Sequence, residues 1–129
     1  MMREIKFRAF RKRDRQLIWP IAVYLTGDVP VVEWLGPSGT AELSSIPGND
    51  VVLMQYTGLK DVNGREIYEA DIVARTRMTE NGKWITEQGE VAFRNGSFVL
   101  LRSDRFWTGL TAEHVIIVGN IYENSEFLK

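Results

Sequence analysis

Apolar and polar residues alternate along this chain in short runs that turn-forming residues separate. A period of two residues is typical of half-buried strands. The runs predicted as strands are Ile5–Phe10, Leu17–Leu25, Val29–Trp34, Val51–Tyr56, Asp71–Arg77, Trp84–Gln88, Gly89–Arg94, Ser97–Leu101 and Val115–Tyr122. No segment keeps a helical apolar period over three turns, and the best helical candidate is one turn near Thr108–His114. We therefore predict a mostly β fold, a small barrel or sandwich of short antiparallel strands with little helix.

The residues between these runs indicate particular turns. Asn95-Gly96 between two alternating runs predicts a type I′ hairpin, because both central residues of that turn need a positive φ. Asp61-Val-Asn-Gly64 suits a type I turn in which the aspartate caps the turn and Gly64 adopts a left-handed conformation. Pro20 lacks an N–H, so it predicts an edge or a bulge inside its run. Loops are predicted at Gly36–Thr40 and Ser44–Asp50.

A change of apolar phase predicts a bend in the middle of the chain. In the run Glu66–Val73, Ile67 points one way, whereas Tyr68, Ala70 and Ile72 share the opposite face of a straight strand. Such a switch is typical of a bulge, here around Glu69-Ala70.

Composition excludes several classes of protein. The chain has 129 residues and no cysteine, so one domain is expected and disulfides, thiolate metal sites and cysteine nucleophiles are excluded. No apolar run approaches the roughly 20 residues of a membrane span. The basic N-terminus lacks the apolar core and cleavage site of a signal peptide, so we expect a cytoplasmic protein.

Charge is distributed unevenly. Residues 1–15 carry seven basic and two acidic side chains, a net charge of +5, and the rest of the chain carries nine basic and fifteen acidic ones, a net charge of −6. The basic residues Arg11, Lys12, Arg13 and Arg15 surround Asp14. Three interpretations are open: a solvated turn, a segment that docks on an acidic face of this chain or of a second copy, and a nucleic-acid contact.

Basic and aromatic residues also occur together in the predicted loop 102–107. Arg102, Arg105, Phe106 and Trp107 could pair with phosphates and stack on bases. The alternative is a packed hairpin end. The other large rings are expected mainly in the core or lining a barrel.

Candidate catalytic and metal-binding groups are few. Asp61, Asn63, Glu66, Glu69 and Asp71 offer hard oxygen donors, but their spacing departs from an EF-hand loop and turn chemistry accounts for them better. The single histidine, His114, has no nearby serine or cysteine elbow to activate and is expected to be structural. Gly36–Thr40 lacks the lysine of a phosphate loop. We therefore predict no catalytic residues, no metal and no cofactor.

Three blocks of the sequence resemble the YopX family of phage and prophage proteins: Arg3–Phe10, Gln55–Val73 and Gly119–Asn124. The resemblance implies one small, mostly β domain over 1–129, with 1–50 the less specific part and 51–124 the core, in a bacterial or phage-infected cytoplasm. Family members usually carry glycine at position 70, which suits a bulge with positive φ. The resemblance implies no reaction and no catalytic residues.

Two classes of function follow. The first is a non-catalytic binding module, a phage or prophage accessory protein that engages nucleic acid or a host protein. The alternative is a structural or self-assembling β protein, because a basic segment and an acidic body can attract each other between copies. An enzyme ranks third.

Overall fold

The computed structural model describes residues 4–24, 31–36, 38–45, 51–102, 105–110 and 114–124, and the side chains at 44, 45, 102 and 105–109 are outside the description. These ranges contain no helix, and therefore none that could cross a membrane. All their strand pairings are antiparallel, which confirms the predicted mostly β fold. The strands are β1 Phe7–Arg11, β2 Gln16–Ile18, β3 Ala22–Tyr24, β4 Val31–Leu35, β5 Ala41–Ser45, β6 Val51–Lys60, β7 Glu66–Tyr68, β8 Asp71–Met78, β9 Trp84–Arg94, β10 Ser97–Arg102, β11 Arg105–Gly109 and β12 Val115–Asn120.

The chain divides into two compact units. We call Ile5–Gln55 the N-terminal unit, and Tyr56–Lys129 together with Met1–Glu4 the C-terminal unit. Strand β6 begins in the first and ends in the second: its residues 51–55 pair with β1, and its later residues pair with β7.

The N-terminal unit contains β1, which pairs with β2 on one side and β6 on the other, and a sheet with the order β3-β4-β5. Its core consists of Ala9, Ile18, Val32, Trp34 and Val51, with Leu53 packed against them. Strand β4 alternates, so Val32 and Trp34 are buried whereas Leu35 is exposed. Burial of one face of β4 fixes its register against β3 and β5.

The C-terminal unit contains a five-stranded sheet with the order β11-β10-β9-β8-β12. Its core consists of six buried aliphatic side chains, Ile67, Val73, Val91, Leu100, Val115 and Ile117. In β12 the two core residues flank the half-exposed Ile116, as expected for a strand with one face on the core.

The predicted turns are confirmed. Asn95 and Gly96 have φ values of 52° and 83°, and Arg94 pairs with Ser97 directly across them. In the Asp61 turn, Gly64 has a φ of 81° and its N–H donates to the Asp61 carbonyl at 3.0 Å. Local turn chemistry therefore fixes both connections.

The predicted bend lies between β7 and β8, where Glu69 and Ala70 form a turn. Ala70 has a φ of 73°, in the left-handed region that glycine would suit, so of the two alternatives for an alanine here, a tolerant conformation or strain, the structure has the strained one. Its N–H donates to the Val91 carbonyl at 2.8 Å, and its carbonyl accepts the Ile121 N–H at 2.9 Å. These two bonds hold a conformation that alanine adopts only at a cost.

Several predictions of secondary structure were wrong. The runs Trp84–Gln88 and Gly89–Arg94 form the single strand β9, and residues 102 and 105–107 of the predicted loop belong to β10 and β11. The run Leu17–Leu25 is not one strand, because β2 and β3 are separated around Pro20, which cannot donate to a ladder. The helical turn near Thr108–His114 is excluded at Thr108 and Gly109, which pair with β10; residues 111–113 are outside the described residues. Strand β5 was not predicted. Its first residues directly follow the predicted loop Gly36–Thr40, and its last two residues were included in the predicted loop Ser44–Asp50.

Candidate nucleic-acid interface

A four-residue turn, Lys12–Arg15, joins β1 to β2 and carries three of the four basic residues singled out above. Arg11 and Gln16 face each other as the last pair of the two strands. Arg15 closes the turn with a φ of 56°. The β1–β2 pairing therefore concentrates the four cations at one end of the hairpin.

Each arginine of this group contacts another side chain of its own unit. Arg11 donates two hydrogen bonds to Asp14, Nε to Oδ1 at 2.9 Å and Nη2 to Oδ2 at 2.6 Å. The hydrogen bonds from Arg11 are the main cause of a lowered pKa of Asp14; burial opposes them, and the charge of Arg11 adds to them. Arg13 lies 3.7 Å from Glu42, and the Arg15 guanidinium lies 5.8 Å from the centre of the Phe10 ring.

A cleft of about 460 Å³ opens beside this turn. The two residues that flank the turn, Arg11 and Gln16, belong to its lining. The rest of the lining is mainly apolar: Leu17, Ile18, Trp19, Ile21, Trp34, Leu35 and Gly36. Its volume lies in the range of small-molecule sites, about 300 to 1,000 Å³.

Two tryptophans give the cleft its chemical character. Trp19 is exposed over 57% of its surface, although it directly follows the buried Ile18. Trp34 is buried, and the Arg11 guanidinium lies 5.6 Å from the centre of its ring, within the range of a cation–π contact. The indole Nε1 of Trp34 has no hydrogen-bond partner among the described residues. The cleft thus offers two aromatic rings, a cation and an amide, with Arg11, Gln16 and Trp19 from the β1–β2 segment and Trp34 from β4.

The structure therefore groups Arg11, Lys12, Arg13 and Arg15, as the sequence does. The side chains of the second predicted group, Arg102, Arg105, Phe106 and Trp107, lie outside the described residues. Their backbone belongs to β10 and β11, where Leu101 pairs with Phe106 and Arg102 pairs with Arg105. Sequence reasoning missed Gln16, Trp19 and Trp34 as partners of the basic turn. The strong turn signal of Lys12–Arg15 could have suggested a hairpin, and a hairpin brings Gln16 back beside Arg11.

The Asp61 carboxylate, a candidate metal ligand in the sequence, is engaged by backbone N–H groups. Its Oδ1 accepts from Asn63 at 2.9 Å and from Arg65 at 3.0 Å, and its Oδ2 accepts from Ile117 at 3.0 Å. Burial acts to raise the pKa of Asp61, but these three bonds and the charge of Arg65 outweigh it, so the pKa lies below its ordinary value of 3.8. This aspartate therefore links the turn Asp61–Gly64 to β12 through a hydrogen bond.

The other polar residues of the central and C-terminal blocks close turns in the same way. Asp71 is 2% exposed and accepts the Tyr68 N–H at 2.8 Å across the bend at Ala70. The Asn120 side chain accepts the N–H groups of Tyr122 and Glu123 and donates to the Glu123 carboxylate at 2.7 Å. Among the described residues, no group of three or more acidic or histidine side chains is placed to hold a metal ion.

His114 is exposed at the start of β12, where its ring meets the edge of Trp84 at 6.2 Å between centres. Its carbonyl accepts the Thr76 N–H at 3.2 Å. His114 therefore contacts β9 through its ring and β8 through its carbonyl.

Comparison with known proteins supports the resemblance seen in the sequence. The family model described as YopX protein matches residues 6–129. The crystal structure of protein EF1440 from Enterococcus faecalis is similar, with a TM-score of 0.62 and 25% sequence identity over 99% of this chain and 100% of that one. No curated protein matches significantly.

Proposed function

This chain belongs to the YopX family, and we propose that it is a phage or prophage accessory protein that binds nucleic acid without catalysing a reaction, in the bacterial cytoplasm. The observation that carries the proposal is the cleft beside the basic turn. Arg11 and the two tryptophans line it, and the turn residues Lys12–Arg15 lie between its lining residues Arg11 and Gln16. Proteins that bind single-stranded nucleic acid usually combine cationic and aromatic side chains.

The ion pairs within the turn are compatible with phosphate binding. In the pair of Arg13 and Glu42 the side chains are 59% and 38% exposed, whereas in the pair of Arg11 and Asp14 they are 15% and 42% exposed. Exposed ion pairs contribute little to stability, so a phosphate can replace Glu42 beside Arg13 at small cost. Release of counterions from the nucleic acid then favours the exchange at low salt.

Nucleic acid is favoured over a host protein by the density of charge. Four basic residues lie within five positions, and the nearest acidic group, Asp14, is already shared with Arg11. A phosphate backbone offers a regular row of single negative charges to such a turn. A host protein would need a matching acidic patch.

The test compares two exposed turn lysines, Lys12 of the β1–β2 turn and Lys83 of the β8–β9 turn. We expect the wild-type chain to bind labelled DNA oligonucleotides at low salt, with an affinity that falls steeply between about 50 and 200 mM salt. Lys12→Gln should weaken binding and reduce the steepness of the salt dependence by about one phosphate contact. Lys83→Gln is the matched control and should leave both unchanged. Fluorescence anisotropy measures both quantities, and absence of binding by wild type at low salt would refute the proposal.

The second candidate, self-assembly, is favoured by a neighbouring surface of the same unit, which shares Leu35 with the cleft lining. The face of the β3-β4-β5 sheet opposite Trp34 carries three exposed apolar side chains, Tyr24, Leu35 and Leu43, which are 47%, 56% and 64% exposed. Two copies could bury them together. Light scattering should then show a dimer or larger species that Leu43→Glu dissociates, and a concentrated wild-type monomer would contradict this candidate.

A further inference from the structure

We infer that the cleft of the N-terminal unit takes one unpaired nucleobase, so that this unit selects single strands over duplex nucleic acid. The inference rests on the proposed function and names the ligand of that same site.

The walls of the cleft suit a flat aromatic ligand. Trp19 is exposed and can cover one face of a base, while Leu17 and Ile18 supply apolar lining. Base stacking on an aromatic side chain tolerates every sequence because all four bases have a π-face. In a duplex those faces are covered by the neighbouring base pairs, so only an unpaired base can stack on Trp19.

The polar groups suit the edge of a base. The Gln16 side chain offers an amide oxygen and a second N–H beside the one that donates to the Asp14 carbonyl at 3.4 Å, and the edges of nucleobases present the same kinds of group. The Trp34 ring lines the cleft, whereas its indole N–H is buried.

The charge beside the cleft selects the occupant. An apolar cleft alone would accept any ring, including the side chain of a partner protein. Here Arg11 lines the cleft and the turn adds Lys12, Arg13 and Arg15, so a ring that carries phosphates on both sides is favoured. A segment of single strand meets that description.

The experiment compares two equally exposed tryptophans, Trp19 in the cleft and Trp84 in the C-terminal unit, which are 57% and 60% exposed. Full-length wild type, Trp19→Ala and Trp84→Ala are titrated against a labelled thymidine oligonucleotide and against a duplex of equal length. We expect wild type to prefer the single strand. Trp19→Ala should weaken that binding roughly tenfold or more, leave duplex binding unchanged and keep the salt dependence. Trp84→Ala should bind like wild type.

The outcomes separate this inference from the proposed function. Equal binding of single strand and duplex, or an equal effect of both substitutions, overturns the inference while salt-dependent binding still supports the proposed function. Failure of wild type to bind either ligand at low salt overturns both. Thermal unfolding of each variant shows whether the fold is kept, and the exposed position of both rings predicts little change.

A second readout concerns Trp34, whose substitution would disturb the core. On addition of the oligonucleotide, the indole N–H resonance of Trp34 should shift in a proton–nitrogen spectrum, because a base in the cleft places its ring current beside the Trp34 ring. An unchanged Trp34 resonance at saturation would contradict the assigned position of the base. A free nucleotide that produced the same shift with the same affinity would show that the neighbouring phosphates of a strand are not used, against the inference.

Discussion

Two turns of this molecule contain an aspartate among polar residues, and they use it in opposite ways. In the turn Asp61–Gly64 the carboxylate is buried and accepts three backbone N–H groups, one of them from β12. In the turn Lys12–Arg15 the carboxylate of Asp14 is exposed and accepts from the side chain of Arg11. The first aspartate holds the backbone together, whereas the second only balances a neighbouring charge.

The difference shows what separates a structural acid from an exchangeable one. Backbone N–H groups cannot move away without breaking the fold, so a carboxylate that satisfies them cannot leave to bind a metal or a substrate. Asp14 is bound only by the side chain of Arg11, so its loss breaks no backbone hydrogen bond. Asp61 therefore serves the stability of the C-terminal unit, whereas Asp14 balances a charge beside the cleft of the N-terminal unit.

The largest expected effect is on Asp61. Asp61→Ala removes three hydrogen bonds, of which the one to Ile117 is buried, and should lower the free energy of unfolding by about 3 kcal/mol. Asp14→Ala should leave that free energy unchanged within error, because its bonds are made in solvent. Urea unfolding of both variants measures the contrast. Equal effects of the two substitutions would remove the distinction between the turns.

A smaller effect concerns the bend that follows the Asp61 turn. Ala70 and Ala92 are each 6% exposed, but only Ala70 has a positive φ. Ala92→Gly should destabilise the protein by about 1 to 2 kcal/mol through lost packing and added chain entropy. Ala70→Gly should be close to neutral, because relief of the left-handed strain of about 1 to 2 kcal/mol offsets the same losses. If unfolding experiments give equal losses, the bend at Ala70 is not strained.

The pH dependence of stability separates the two aspartates further. The pKa of Asp61 is lowered in the folded state, so its stabilising contribution is complete above the ordinary value of 3.8 and is lost as pH falls through the lower folded value. Below pH 4, the unfolding free energy of wild type should therefore decline more steeply than that of Asp61→Asn. Asp14→Asn should follow wild type more closely, since solvent screens its exposed pair with Arg11. Parallel curves for wild type and Asp61→Asn would contradict the prediction.

The smallest expected effect is a gain in affinity at the basic turn. Asp14→Asn removes a negative charge near the proposed phosphate path and releases Arg11, so DNA affinity at low salt should rise about two- to fivefold. The gain should disappear near 0.5 M salt, where the Debye length is only a few ångströms. Lys83→Gln again serves as the control for a remote change of charge, and an unchanged affinity in Asp14→Asn would argue that Arg11 does not contact the ligand.

The sequence predicts best where local chemistry determines the backbone. Asn95-Gly96 and Asp61–Gly64 have the predicted turns, since a positive φ and an Asx bond depend on a few adjacent residues. The bend at Ala70 was also predicted, because a change of apolar phase leaves few other conformations. Strand β5 was missed because its pairing with β4, seen for instance between Leu43 and Glu33, depends on a distant segment and not on its own pattern.

The sequence predicts the basic residues of the candidate site but not its aromatic ones. The cluster of charge at Arg11–Arg15 is visible in the sequence, but Trp19 and Trp34 were assigned to the core as large rings usually are. Trp34 does lie in the core, and Trp19 does not, because the chain leaves β2 just before Pro20 and carries its ring into solvent. Burial of a single ring depends on where neighbouring strands end, which alternation alone does not specify.

The bond between Asp61 and Ile117 joins positions 56 residues apart and has a consequence for synthesis of the chain. Strand β12 pairs with one edge of β8. The turn Asp61–Gly64 covers the other edge of β12, where the Val62 N–H also donates to the Val115 carbonyl. On the ribosome, β8 and β9 emerge before β12, so an uncovered strand edge exists until β12 has left the exit tunnel and paired with β8. During that interval the nascent sheet is open to pairing with other extended chains. Chaperone demand should therefore end only when β12 has docked.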